Sequence, residues 1–256
     1  MSAPRPRAVI TGAARRVGRA IALELARSGF DLVLHHRGSV AEAEATAAEA
    51  EALGAEVTRV SADLADPDGA RAVVAAVAAR WDTVHLLVHN ASTFEPCPID
   101  QIDVAAWDRM MAVHARAPFL ITQGLLPQLR AAKSCAAGAA EGEGGLVVCM
   151  VDIGAERPVA GYAHYSVSKA ALLMLVRCLA VETAPAVRAI GVSPGQVVWP
   201  EDYDEATRER LARRIPMRRV GTPDDVARLV RFVALEAPYL NGIVVDVDGG
   251  LAVRYG

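Results

Sequence analysis

Apolar residues in this chain come as short unbroken runs, separated by longer stretches with helical spacing. Residues 7–11, 31–36, 56–61, 84–89, 145–152, 187–193 and 243–247 read as seven strands. Runs such as Leu86-Leu87-Val88 and Leu146-Val147-Val148 show no polar alternation, the pattern of strands covered on both faces. Residues 18–28, 39–53, 67–80, 104–130, 162–184 and 223–236 read as helices. Gly29 and Gly54 sit where helices stop, Pro67 where one starts, and Thr222 is placed to cap another. Pro118 is expected to kink the 104–130 helix. This alternation predicts an α/β fold: a single-domain, Rossmann-like, doubly wound parallel sheet of about seven strands with helices on both faces. No repeat or linker divides residues 1–256. Residues 131–145 are low in complexity and expected as a flexible surface loop, and 194–216 as a lid over a ligand.

Composition narrows the class. Of 256 residues 53% are hydrophobic, enough for one sizeable core. The formal charge is −3 and no Lys/Arg run occurs, which argues against a nucleic-acid partner. The first residues lack an apolar signal core, and no stretch is expected to reach the ~20 apolar residues of a membrane helix. A cytoplasmic protein acting on a small molecule, away from membranes, is the expectation. Cys97, Cys135, Cys149 and Cys178 have neither disulfide-framework nor metal-site spacing, so no metal is expected. Cys149 and Cys178 lie in apolar stretches and are expected as small core residues.

The chemistry-bearing residues cluster at strand ends. The first strand runs into Thr11-Gly12-Ala13-Ala14-Arg15-Arg16-Val17-Gly18 and then a helix. Gly12 and Gly18 allow a sharp turn and a close approach of a pyrophosphate to the helix N-terminus. The second strand ends His35-His36-Arg37-Gly38-Ser39, with no acid to bind a ribose 2′-hydroxyl. Arg15, Arg16, Arg37, His36 and Ser39 instead suit a 2′-phosphate, because guanidinium offers paired planar donors. NADPH is therefore the expected cofactor. Asp63-Leu64 and Asn90-Ala91-Ser92 follow the third and fourth strands as further cofactor contacts, with Asp63 placed to meet an adenine amino group or to start a helix. Tyr165 and Lys169 lie four apart on one helix face. A neighbouring ammonium would lower the phenol pKa toward working pH and make Tyr165 a proton donor.

In order along the chain, TGAARRVG, DL, HNAS, YSVSK, SPG and VDGG resemble the motifs of short-chain dehydrogenases/reductases over essentially its whole length. The resemblance implies that Tyr165 donates the proton and that Lys169 tunes it and binds the nicotinamide ribose, so that both also touch the cofactor. It implies that Pro194 and Gly195 flank the nicotinamide, and that the assembly is a homotetramer. Four positions depart from the common pattern: Arg16 replaces a glycine, Asp152 a catalytic serine, His89 an asparagine, and His114 the helical asparagine that links the lysine to water. Arg16 and Asp152, with HHRGS and Asn90-Ala91-Ser92-Thr93-Phe94, are similar to the pteridine reductase branch. That likeness implies a pterin substrate held by Arg16, Ser92, Phe94, Asp152 and Tyr165, with Phe94 stacking the ring. A carboxyl at Asp152 can relay a proton to Tyr165 or accept from a ligand N–H. Dihydrobiopterin, dihydromonapterin and dihydrofolate are the candidate substrates. Two alternatives stay open: a carbonyl reductase of the same fold, acting on a ketone, sugar or acyl thioester, and a non-catalytic NADP(H)-binding sensor. His114 is expected either to join a proton path through water or to reflect a different helix packing.

Overall fold

The computed structural model describes residues 5–199 and 204–254. Seven parallel strands, β1 (Arg7–Ile10), β2 (Asp31–His36), β3 (Val57–Ser61), β4 (Leu86–His89), β5 (Leu146–Met150), β6 (Arg188–Pro194) and β7 (Val244–Val247), form one sheet in the order β3-β2-β1-β4-β5-β6-β7. The unbroken apolar runs have the expected cause. Ala8, Ile10, Leu32, Leu34, Leu86 and Val88 face one buried layer, while Val9, Val33, Leu87 and Val147 face another. The first layer is closed by α1 (Arg16–Arg27), α2 (Val40–Ala52) and α8 (Pro223–Leu235), the second by α3 (Pro67–Ala78), α5 (Ala117–Ala131) and α6 (Ala163–Glu182).

Local chemistry sets the helix ends. Asp66, Asp103 and Asp204 accept backbone N–H groups at the starts of α3, α4 (Val104–Met111) and α7 (Glu205–Ala212). Thr222 and Asp225 form a reciprocal capping box at α8. Gly29 and Gly54 end α1 and α2 with φ of +90° and +86°.

Three expectations are corrected, and one segment holds a helix that the sequence pattern did not show. The helix predicted over 104–130 is interrupted by a π-helical turn, Ala112–Arg116, between α4 and α5. Pro118 lies in the first turn of α5 and has no N–H to continue the α-helical ladder back toward residue 114. The segment 194–216 contains α7, which buries no residue and so leaves no apolar stripe in the sequence; residues 200–203 of it lie outside the described residues. Cys178 is exposed on α6, whereas Cys149 is buried in β5 as expected. Finally, α6 is long and apolar enough to cross a membrane by length and composition, yet more than half of it packs inside the protein. Its apolar character belongs to the core layer under β5 and β6. The 131–145 loop is tied down by Ser134 N–H to the Glu143 carbonyl and Ala137 N–H to the Leu235 carbonyl.

Arg188 is a charged residue inside this framework. Its guanidinium donates to the carbonyls of Ala237 and Leu240, each at 2.9 Å, and of Val233 at 3.3 Å, closing the C-terminal end of α8 onto β6. Arg188→Met would leave those carbonyls buried without donors, and a loss of about 3 kcal/mol is expected in urea unfolding.

His35, His89 and His114 also lie in the core. Burial holds His35 at about 4, His89 at about 3 and His114 at about 2, with Lys169 and His164 adding to the effect on His114. Each is therefore neutral in the fold, while an unfolded chain protonates it near 6.5. The stability they confer is present above pH 6.5 and is lost as pH falls below it, at about 1.4 kcal/mol per pH unit for each histidine. Asp225, held at about 2 by the Thr222 backbone, affects stability only below the ordinary carboxylate value of 3.8. The urea midpoint should accordingly fall steeply from about pH 6 to 4.5; a flat profile through that window would mean these imidazoles are not held neutral.

Candidate functional site

Parallel sheets bind ligands where strand order reverses, beyond the carboxyl ends of the strands. Here that point lies between β1 and β4. Beyond Ile10 and Val88 the ladder stops, and side chains of the two loops replace it. Thr11 Oγ1 accepts N–H bonds from Asn90 and Ala91, both at 3.0 Å. The Asn90 side-chain amide donates to the carbonyls of Thr11 and Gly12 at 3.0 and 2.9 Å. Asn90 and Ala91 therefore brace the turn from beneath. Gly12 is left-handed, with φ of +66°, and a Cβ there would lie 2.8 Å from Ala91 Cα. At Gly18 a Cβ would meet the Gly12 carbonyl oxygen at 2.1 Å, so only glycine lets α1 start this close to the turn.

His35 completes the bracing, and sequence reasoning missed it. The Gly12 N–H donates to His35 Nδ1 at 3.2 Å, and His35 Nε2–H donates to the Ala62 carbonyl at 3.0 Å. The Gly12 N–H is thus engaged inside the protein, and the glycine shapes the turn as expected of it. The available signal was a polar residue inside an otherwise apolar strand, which becomes legible only once the β1–β2–β3 register is known.

The register sets the β1 turn beside the end of β2, and Ala13 N–H bonds the His35 carbonyl at 2.9 Å. Arg15 caps α1 and Arg16 opens it in a left-handed conformation, φ +52°; both are exposed. Arg37 is exposed, and Ser39 is half-buried at the start of α2 with no capping bond from its hydroxyl. This donor set, without an acid at the strand end, fits a phosphate on the ribose. Two expected contacts turn inward instead. The His36 side chain is buried, and Leu64 belongs to the core beneath α3 and α5. Asp63 is exposed and accepts from Ala65 N–H at 2.9 Å, while the cap of α3 is Asp66.

The reactive groups assemble at the ends of β4 and β5 and on the first turns of α6. Tyr165, 6% exposed, donates its hydroxyl proton to Asp152 Oδ2 at 2.9 Å. The other Asp152 oxygen accepts the Gly154 N–H at 2.7 Å, which fixes the carboxylate. Lys169, 3% exposed, donates to the Met150 carbonyl at 2.8 Å and lies 5.7 Å from the Tyr165 ring centroid. The expected lowering of the phenol pKa by Lys169 is not what this geometry gives. Burial first, and then the Asp152 charge and hydrogen bond, push Tyr165 well above the usual phenol range. Burial brings Lys169 down to about 8. Tyr165 is thus held firmly protonated, a donor with its proton in place.

Around it stands an aromatic wall. Phe94, 56% exposed, stacks on Tyr162 with centroids 4.2 Å apart and planes 11° apart, and meets Tyr165 edge-on at 4.8 Å. Tyr162 was not among the sequence candidates, although it lies three residues before Tyr165 at the helix start. His114 sits behind this wall at the π-helical turn. Its Nε2 is 2.9 Å from Ser92 Oγ and 3.2 Å from Thr93 N, and its Nδ1 is 2.7 Å from Ser168 Oγ. His89 is buried, with Nε2 2.8 Å from Thr122 Oγ1, away from the reactive groups. Pro194 and Gly195 end β6, and a Cβ at Gly195 would lie 2.7 Å from Asp248 Cβ.

Residues 12–252 match the family model described as enoyl-(acyl carrier protein) reductase. The chain is 30% identical to pteridine reductase 1 of Leishmania tarentolae, over 97% of its own length and 96% of the relative's. It is 35% identical to L-rhamnose 1-dehydrogenase (NAD(P)(+)) of Azotobacter vinelandii over 96% of each. Among solved structures it resembles FolM alternative dihydrofolate reductase 1 from Brucella canis, complexed with NADP, with a TM-score of 0.87, 30% identity, and coverage of 98% of this chain and 95% of that one. With a Tyr-Lys pair beside a glycine turn at the switch point of a seven-stranded parallel sheet, the chain belongs to the short-chain dehydrogenase/reductase family.

Proposed function

We propose that this oxidoreductase reduces the C=N bond of a dihydropterin, such as dihydrobiopterin, dihydromonapterin or dihydrofolate, with NADPH. The observation that carries the reading is the Tyr165 hydroxyl on the Asp152 carboxylate, beside the exposed ring of Phe94. A ketone needs a neutral hydroxyl to hold its oxygen. A pterin presents N–H groups that a carboxylate can accept, ring nitrogens that need protons, and a flat ring that an aromatic face can stack.

Arg15, Arg16, Arg37 and Ser39 would hold the 2′-phosphate of NADPH, and Lys169 its nicotinamide ribose. When bound, the nicotinamide supplies a hydride. The chain's own groups handle the proton and the geometry. Phe94 sets the plane of the substrate, Ser92 and Asp152 meet its polar edge, and Tyr165 delivers a proton to the ring nitrogen. Asp152, as acceptor of the phenol's hydrogen, steadies the phenol beforehand, and a proton taken up from solvent through that carboxylate would restore Tyr165 afterwards. Burial of Tyr165 and Lys169 keeps competing water away from that transfer. A small-molecule substrate, a cytoplasmic setting and a homotetrameric assembly complete the proposal.

Reduction of a carbonyl is the second reading. It is supported by the sugar dehydrogenase at 35% identity and by 3-oxoacyl-[acyl-carrier-protein] reductase FabG of Staphylococcus aureus at 27%. A panel of dihydropterins, ketones, sugars and acyl thioesters, followed by NADPH absorbance, separates the two. Dihydropterins should be turned over with the highest kcat/KM, and a ketone or sugar leading the panel would reject the pterin assignment. Asp152→Ser should lower pterin turnover by about a hundredfold; unchanged turnover would remove Asp152 from the mechanism. KM should be about tenfold or more lower for NADPH than for NADH, since charge-assisted bonds to phosphate are lost with NADH; equal values would refute the 2′-phosphate site.

A further inference from the structure

The partners of His114 determine where its proton sits. The Thr93 backbone N–H can only donate, and it points at Nε2 from 3.2 Å. That nitrogen therefore carries a lone pair. On the other side, the Ser168 hydroxyl donates its hydrogen to the Tyr165 carbonyl at 2.7 Å, so its oxygen is the acceptor for Nδ1 at 2.7 Å. Nδ1 therefore carries the hydrogen. The imidazole is neutral and held in one tautomer by two neighbours, the Thr93 N–H and the Ser168 hydroxyl, each with its own polarity fixed.

One consequence reaches the substrate. Ser92 Oγ lies 2.9 Å from the same bare Nε2, so the only hydrogen bond available between them has Ser92 donating. Its hydrogen points inward, and Ser92 offers an incoming ligand oxygen lone pairs. Tyr165, whose hydrogen rests on Asp152, is then the hydroxyl that would donate once a ligand nitrogen takes over that bond. A second consequence is mechanical. From Thr93 through His114 and Ser168 to the Tyr165 carbonyl, hydrogen bonds join the segment bearing Phe94 to the helix bearing Tyr165. His114 sits on the π-helical turn, where the wider backbone loop places its ring between those two elements.

We propose that His114 is a positioning residue that, by its locked Nδ1–H tautomer, makes Ser92 a hydrogen-bond acceptor toward the substrate and holds the Phe94 segment in register with Tyr165. This argues against the proton-path role expected for the residue at this position, because the Nδ1–H is committed to Ser168, whose own hydrogen ends on a backbone carbonyl that cannot take up a proton. It rests on the pterin reading for the kind of ligand N–H that Ser92 would accept, but the tautomer itself is independent of the substrate.

Nitrogen-15 NMR of the full-length protein labelled in its histidine rings reads the tautomer directly. Between about pH 5.5 and 8.5, His114 should show a protonated Nδ1, a bare Nε2 and no titration, while His35 shows the opposite tautomer. A protonated Nε2 at His114, or a titration in that range, would overturn the proposal. Kinetics supply the second arm, on whichever substrate class the protein turns over. Gln at this position keeps an acceptor near Nε2. His114→Gln should therefore hold KM within about threefold of the parent while His114→Leu raises it more than about tenfold, both with unchanged NADPH affinity and unmoved pH-profile inflections. A lost inflection would mean that His114 transfers protons. Ser168→Ala removes the tie to Tyr165 without disturbing the imidazole's other side. It should lower kcat several-fold at constant KM, and parent-like kinetics for both Ser168→Ala and His114→Leu would overturn the positioning role. If the best substrate proves to be a ketone, the pterin reading fails while the tautomer and the KM split still stand or fall on these measurements.

Discussion

At the switch point of the sheet, β1 and β4 run side by side and then part, and their loops must be kept together without ladder hydrogen bonds. Thr11 and Asn90 do this with four short bonds between one hydroxyl, one amide and four backbone groups. Everything on the ligand side is referenced to that splice. It sets the turn through Gly12, the start of α1 at Gly18, and the departure of the Ser92–Phe94 segment toward Tyr165. Backbone polar groups left over at a parting of strands would otherwise need water. Satisfying them from within leaves the crevice free for a ligand.

The second constraint is dryness. Tyr165, Lys169, His35, His89 and His114 all lie where charge is poorly solvated, and burial is the first cause of each of their shifts. The outcome is a site whose acid is fully protonated, whose imidazoles are neutral, and whose ammonium loses its proton more readily than a free one. Asp152 sharpens this by anchoring the phenol's hydrogen. The proton is stored on Tyr165 by a carboxylate more than it is loosened by Lys169.

Much of this was legible in the chain. The strands could be read because the central ones are buried on both faces and the edge strands β3 and β7 still keep valines, and Tyr165, Lys169, Asp152, Asn90, Ser92 and Phe94 do converge near strand ends. What escaped notice has specific causes. The π-helical turn follows from a proline without an N–H together with tertiary partners of His114 that lie 21 to 54 residues away in sequence. Helix α7 has no buried face, so periodicity carried no trace of it. His35 and Tyr162 act through neighbours on other elements, and spacing along one segment says nothing about those. His36 and Leu64 were assigned outward because motif position fixes the backbone but not which face of it a side chain takes.

Arg16 is a cationic side chain on a backbone in the left-handed region, which suits glycine and costs other residues about 1 kcal/mol or more. Stability and recognition therefore pull in opposite directions at this position. Glycine would relax the turn, so the strain at Arg16 is a cost that the proposed phosphate contact would have to return in binding free energy before the arginine gives any net gain.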